Sequence, residues 1–217
     1  MLAQTQIVGN RVYDYNYVVG TRDLLRPVSI AIGSGDLVFW LMRGGGAMTK
    51  VSKTTIGQET GDEEIVTEFG KLGEGEGEFT WPAGIAVDSR DSVYVTDEWL
   101  NRVSVFDADG KFVGLWGTPG DGDGELNRPS GIAIDSDDKL YIADTANHRI
   151  QKFTWDGEVL ANWGSFGSGE GQLDSPWGLT IDQSGNVYVA DHKNHRVQKF
   201  TSGGAYLAQF GSYGTGR

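Results

Sequence analysis

Three stretches of the chain read as near-copies of one text: GIAVDSRDSVYVTD (84–97), GIAIDSDDKLYIAD (131–144) and GLTIDQSGNVYVAD (178–191). Working outward from them, prolines recur at Pro82, Pro129 and Pro176, each 47 residues from the next. Asp97, Asp144 and Asp191 keep the same interval, and so do Arg102, Arg149 and Arg196. A period of that length holding several short strands describes a unit that buries its faces against its neighbours, as in a propeller or solenoid. The repeated text is scaffold. Specificity resides in whatever differs between copies.

One unit can be read strand by strand. After Pro129, SGIAID is a short apolar innermost strand, and Ser136–Asp138 is a polar turn. KLYIAD alternates Leu140 and Ile142 against Tyr141 and Ala143, the period-2 signature of a strand. TANH is a loop, RIQKF a third strand, TWDG a turn and EVLANWG the outermost strand. Four antiparallel strands make one propeller blade. The same reading gives units at about 82–117, 129–164 and 176–211. A divergent copy, PVSIAIGSGDLVFWLM from Pro27, gives a unit at about 27–70. There Met42 stands in the aspartate position and Ala47 in the arginine position, and the interval from Pro27 to Pro82 is 55 residues. RVYDYNYVVG (11–20) reads as an outermost strand without a blade of its own. The expected class is all-β: four complete four-stranded blades plus an orphan N-terminal strand, in a single domain over 1–217.

Composition narrows the function classes. Thirty-three glycines suit many turns, and the absence of cysteine removes disulfides and thiolate metal sites. A formal charge of −12 opposes nucleic-acid binding, which needs clustered Lys and Arg. No apolar run approaches the ~20 residues of a membrane span. The N-terminus lacks a basic segment followed by an apolar one, which together with the missing cysteines favours a cytoplasmic location.

YIADTANHRIQKF (141–153) and YVADHKNHRVQKF (188–200) resemble the NHL repeat, and YVTDEWLNRVSVF (94–106) is a further copy. The resemblance implies a β-propeller, often six-bladed, in a family of protein- and RNA-binding modules with a few lyase- or hydrolase-type enzymes. A six-bladed ring would need about 80 more residues at this period. The expectation is therefore a truncated ring that self-associates through exposed blade faces.

Asp97/Arg102, Asp144/Arg149 and Asp191/Arg196 flank the loop between second and third strands, and each pair is expected to form an ion pair bracing it. Threefold repetition suits a brace, whereas a catalytic group is needed once. The loops GEGEGEF (73–79), GDGDGEL (120–126) and GSGEGQL (167–173) are glycine-rich, and in the second Asp121, Asp123 and Glu125 superficially resemble calcium-loop spacing. They lack the distal Glu and flanking helices of an EF-hand calcium loop. Of the three histidines, His148 and His195 share a repeat position, while His192 is unique to its blade. The peptide-amidating lyases, which share the propeller, hold zinc through Pro-His-Gly motifs. The matching positions here are Val28, Ala83, Ser130 and Trp177, none of which supplies that ligand, although Arg43 in WLMRGG (40–45) matches the arginine of a lyase segment. No cofactor is expected, with calcium or zinc as the only alternatives. No serine-nucleophile elbow, phosphate-binding loop or zinc-protease motif occurs.

Two functions remain. The first is a binding scaffold for a protein or small-molecule ligand, using the loop face around the channel and the non-repeated residues Arg43, Glu98, Trp99, Trp177, His192 and Lys193. The alternative is a lyase- or lactonase-type propeller enzyme, related to peptidyl-hydroxyglycine amidating lyase, with a metal in the channel.

Overall fold

A computed structural model describes residues 5–8, 11–14, 26–56 and 64–214. Sixteen strands form four antiparallel four-stranded sheets, each in simple up-and-down order. Blade 1 comprises Pro27–Ile32, Leu37–Met42, Lys50–Thr55 and Ile65–Phe69. Blade 2 comprises Pro82–Val87, Val93–Asp97, Arg102–Phe106 and Phe112–Trp116. Blade 3 comprises Pro129–Ile134, Leu140–Asp144, Arg149–Phe153 and Val159–Trp163. Blade 4 comprises Pro176–Ile181, Val187–Asp191, Arg196–Phe200 and Tyr206–Phe210. Arg11–Asp14 pairs with Thr5–Val8 in a separate hairpin; the rest of the expected orphan strand, residues 15–20, lies outside the described residues.

In blades 2, 3 and 4 the turn after the innermost strand is built by an aspartate, whereas blade 1 has Gly33 in that place. Asp135 Oδ1 accepts the backbone N–H groups of Asp137 (3.0 Å) and Lys139 (2.9 Å), and its Oδ2 takes the Tyr141 hydroxyl at 2.9 Å. Asp88 and Asp182 repeat this with Tyr94 and Tyr188. An acceptor that satisfies turn amides and reaches the next strand fixes the hairpin register.

Alternation then sends one side of each strand to each face of the blade. Three clusters fill the three junctions between four blades. Between blades 2 and 3, for example, Ala86, Tyr94, Val103 and Val105 meet Ile132, Leu140, Ile142 and Phe153. Each fully buried side chain of this size contributes roughly 1.5–3 kcal/mol. Glycines serve the same junctions. A Cβ on Gly157 or Gly204 would come within 2.7 Å of the Trp116 ring or 2.6 Å of the Trp163 ring, so each indole of one blade lies flat on a glycine turn of the next.

The innermost strands pack in succession, blade 1 on 2, 2 on 3 and 3 on 4. At the two ends the pattern changes. Ile30 is 51% exposed, against 4% for Ile85 and 7% for Ile132 at the same position. The exposed part of blade 1 is therefore the side bearing Ile30 and Ile32, whereas Phe39 is buried against blade 2. On blade 4, Val187 and Val189 are buried against blade 3, and the opposite side carries the half-buried Tyr188, Ala190 and Val197 and the exposed Phe210. Residues one apart on a strand point to opposite sides, which is why Phe39, Val187 and Val189 face the neighbouring blades and not the open ends.

Candidate functional site

The end of each second strand pairs with the proline opening the first, as Pro82 with Asp97 and Pro176 with Asp191. The turn leading into one strand and the loop between second and third strands therefore share one end of every blade. All six candidate ligand residues, Arg43, Glu98, Trp99, Trp177, His192 and Lys193, lie at that end.

The repeated aspartates are fully buried there and tie the two loops together. Asp144 Oδ1 accepts the Asn127 backbone N–H at 2.7 Å. Its Oδ2 accepts Arg149 Nε at 2.8 Å, Asn147 Nδ2 at 2.9 Å and Gln151 Nε2 at 3.0 Å. Asp191 repeats the set with Asp174, Arg196, Asn194 and Gln198. Arg149 spends its remaining donors on the carbonyls of Asp121, Gly122 and Glu125, and Arg196 on those of Ser168, Gly169 and Gln172. The arginine therefore clamps the glycine-rich loop as well as meeting the aspartate. That loop is closed further by its own carboxylate or amide: Glu125 accepts the Gly122 N–H and Gln172 the Gly169 N–H, each at 2.9 Å.

Blade 2 departs from the expected ion pair. Arg102 donates to the carbonyls of Glu74, Gly75 and Glu78, but its Nε has no partner and it forms no bridge to Asp97. Asp97 instead accepts the N–H groups of Thr80, Trp81, Trp99 and Leu100 at 2.7–3.1 Å. Leu100 and Ser104 stand where blade 3 has Asn147 and Gln151, so the side-chain donors that orient the carboxylate toward the arginine are missing.

Arg43, Glu98, Thr145 and His192 occupy one repeat position, the residue after the Met or Asp that ends the second strand. Three of them reach the turn leading into the next blade. Arg43 Nη1 donates to the Pro82 carbonyl at 3.2 Å, Thr145 Oγ1 to the Pro176 carbonyl at 2.7 Å, and Glu98 Oε2 meets Arg128 Nη2 at 3.2 Å. This position thus bridges blades while remaining free to vary, because three different chemistries solve the same contact. His192 packs edge-on against Trp177, ring centroids 5.1 Å apart. Lys193 Nζ lies 3.9 Å from Asp174.

A cavity of about 580 Å3 opens between blades 2 and 3, lined by Trp81, Glu98, Trp99, Asn101, Asn127 and Arg128. A second, of about 470 Å3, lies between blades 1 and 2 and includes Arg26, Arg43, Gly44, Leu72 and Trp81. Trp81 forms a wall of both, with the Arg43 guanidinium 4.4 Å from its ring centroid. Of the candidate ligand residues, Glu98 and Trp99 therefore share one cavity and Arg43 its neighbour, while Trp177, His192 and Lys193 lie farther round the rim. Trp81, Asn101, Asn127 and Arg128 escaped the sequence reading. Trp81 and Arg128 are legible afterwards, because the residue before each repeat proline varies: Arg26, Trp81, Arg128 and Ser175.

At the opposite end of the blades, Asp88 and Asp135 titrate below the usual carboxylate range. Burial pushes both up, but the turn N–H groups and the tyrosine hydroxyls outweigh it. Among the described residues, no three His, Asp or Glu side chains converge on a metal-sized site. Val28, Ala83, Ser130 and Trp177 open the innermost strands, so the donor set of a propeller zinc lyase does not fit these blades.

Comparison with known proteins agrees with the blade reading. Residues 79–106, 126–153 and 173–200 match the family described as NHL repeat. Protein lin-41 of Caenorhabditis elegans is 53% identical over 45 residues, and Protein brain tumor of Drosophila melanogaster is 41% identical over 44. These segments cover 21% and 20% of this chain and 4% of each relative. Among solved structures, a streptogramin B lyase superposes with a TM-score of 0.64 at 17% identity, covering 94% of this chain and 60% of that one. The virginiamycin B lyase of Staphylococcus aureus gives 0.61 at 15% identity, covering 96% and 62%. At such identities the likeness is one of fold. The second, third and fourth blades each match the NHL repeat, and their four-stranded antiparallel sheets are those of a β-propeller.

Proposed function

We propose that the chain is a binding scaffold whose loop face engages a protein partner. The observation that carries this reading is the cavity of about 580 Å3 between blades 2 and 3, on the face where neighbouring blades differ most. Its rim exposes two indoles, Trp99 at 69% and Trp81 at 50%. Indoles beside paired charges are the composition of an interface hot spot. The test is capture of partners from the source cell by the folded chain, comparing Trp99→Ala with Ser136→Ala on the opposite face. Loss of a specific partner with the first alone supports the reading. Equal retention by both variants overturns it.

A second element of the reading is self-association. Ile30 and Ile32 at one end and Phe210 at the other are exposed where their counterparts fill blade junctions. Blades hide such faces only against other blades, so copies are expected to associate head to tail. Sedimentation decides: a monodisperse monomer at high concentration overturns this part. The enzyme alternative makes its own demand, one equivalent of tightly held zinc or calcium in the purified protein, readable by elemental analysis.

A further inference from the structure

The cavity between blades 2 and 3 has a chemistry more specific than an apolar recess. Glu98 lies in its wall with a side chain only 10% exposed. A carboxylate withdrawn that far from water needs charged or hydrogen-bonding partners. Its Oε2 has one, Arg128 Nη2 at 3.2 Å, and that arginine is itself 67% exposed. The pair is therefore made from the solvent side by a long side chain that can swing clear. Two tryptophans complete the wall. Trp81 already carries one guanidinium, that of Arg43, on the side of the neighbouring cavity. Asn101 holds the rim in shape: its Oδ1 accepts the Arg128 N–H at 2.7 Å and its Nδ2 donates to the Trp99 carbonyl at 3.2 Å.

Resting on the reading of this face as a binding surface, we infer that the cavity receives an arginine side chain from a basic segment of a protein partner, its guanidinium between the indoles and hydrogen-bonded to Glu98. A planar guanidinium stacks on aromatic faces and points its donors outward in the plane, where a carboxylate accepts two at once. Lysine presents a compact, strongly hydrated charge without that planar fork. An anionic ligand would bring its charge against Glu98 and into the field of a chain carrying −12 overall. A neutral ligand could stack on the indoles but would leave Glu98 with no compensation for the contact it loses to Arg128. Indole faces attract cations most strongly of all the aromatic side chains.

The experiment uses the full chain and three blocked tripeptides with arginine, citrulline or lysine between glycines. Citrulline keeps the planar shape and removes the charge. Binding is followed through the indole N–H resonances of Trp81 and Trp99, with Trp155 as a remote control. The arginine peptide is expected to shift both rim indoles and to bind about tenfold more tightly than the citrulline and lysine peptides, a difference of one decade in Kd. Glu98→Gln should erase the preference for arginine over citrulline. Trp99→Ala, at an exposed position that threatens no packing, should weaken the arginine peptide by about tenfold with an unchanged melting temperature. Equal binding of arginine and citrulline, or arginine binding indifferent to both substitutions, overturns the assignment. So does no shift up to about 10 mM peptide, a concentration at which even a millimolar site is filled. If the peptides fail while Trp99→Ala still loses a captured partner, the ligand class is wrong and the binding face stands. If both fail, the face itself is wrong.

Discussion

Blades 2 and 3 carry the same aspartate and arginine five residues apart, on strands of the same length and register, yet only blade 3 joins them. In blade 3 the carboxylate is turned toward Arg149 by Asn147 and Gln151, and every strong donor near it is used. In blade 2, where Leu100 and Ser104 take those places, Asp97 turns to backbone N–H groups, leaving Arg102 Nε and Ser104 Oγ buried without partners. The repeated pair is therefore not the unit of the brace. The unit is a five-group cluster comprising the aspartate, the arginine, an asparagine, a glutamine and the glycine-loop carbonyls. Loss of two members redirects the acid while the arginine keeps its hold on the loop.

The sharpest way to break this comparison is to remove the charge alone. Asp144→Asn should cost about 3 kcal/mol, because Arg149 Nε is left buried without its counter-charge. At this chain length that is a fall of roughly 6–12 °C in melting temperature. Asp97→Asn should cost about 1 kcal/mol, since the amide oxygen still accepts backbone N–H groups and no ion pair is broken. Ligand capture should be unaffected by Asp144→Asn at temperatures where the chain is folded. Equal losses from the two substitutions in thermal melts would show that the ion pair contributes nothing beyond the hydrogen bonds.

The converse is to build the missing cluster. Leu100→Asn combined with Ser104→Gln supplies blade 2 with the donors of blade 3 and satisfies a buried arginine nitrogen. The double variant is expected to gain about 1–2 kcal/mol, the value of ending an unsatisfied buried group. A melting temperature below that of the parent would mean that Asp97 cannot leave its backbone partners.

At the far end of the blades, the aspartates of the first turn set a pH dependence shared by all three repeats. Asp88, Asp135 and Asp182 all have folded-state pKa values held below the ordinary one. A depressed carboxylate stabilises the fold above its unfolded pKa of about 4, and that contribution is lost as pH falls through this value toward the folded one. Stability should therefore fall as pH drops below about 4. Asp135→Asn should flatten that drop while lowering stability at neutral pH. Unchanged acid sensitivity in this variant would place the titration elsewhere.

The contrast between blades also explains what could be read from sequence. Strand positions were legible because alternation, turn aspartates and prolines recur, and each recurrence is a local demand of the same backbone. The braces of blades 3 and 4 were legible as pairs, but their carbonyl partners were not, since those contacts join segments 24–28 residues apart; the asparagine and glutamine, three and seven residues from the aspartate, read as ordinary loop and strand residues until the carboxylate is seen facing them. The failure in blade 2 was hidden for the same reason: Leu100 and Ser104 look like ordinary strand and loop residues until the acid is seen facing them. The bridging position occupied by Arg43, Glu98, Thr145 and His192 was legible only as variability. Four unlike residues in one place suggest a ligand surface, whereas three of them meet the next blade. Variation at an interface needs only a contact that several chemistries can make.

The smallest expected effect extends the comparison to blade 4. Where blades 2 and 3 have Asp91 and Asp138 in their first turns, blade 4 has Gly185. Asp138 accepts both the backbone N–H and the hydroxyl of Ser89 in the preceding blade, at 2.9 and 2.7 Å, and Asp91 holds Ser34 in the same way. Ser136 is the corresponding donor toward blade 4 and meets only a glycine there. All three turn residues have positive φ, 61° at Asp91, 55° at Asp138 and 77° at Gly185, a conformation aspartate tolerates better than most side chains. Space is open as well, the nearest atom to an added Cβ being Ser202 Cβ at 4.0 Å. Gly185→Asp should therefore stitch blade 3 to blade 4. It gains two exposed hydrogen bonds and removes glycine freedom from the unfolded chain, against the residual strain of positive φ. The net is expected at about 0.5 kcal/mol in favour of the fold, a rise of roughly 1–2 °C. Adding Ser136→Ala to the variant removes the hydroxyl and leaves the backbone N–H, so it should cancel part of the gain. If the rise survives without the Ser136 hydroxyl and is no smaller, the hydroxyl contributes nothing, and the gain comes from the backbone N–H contact and the unfolded chain.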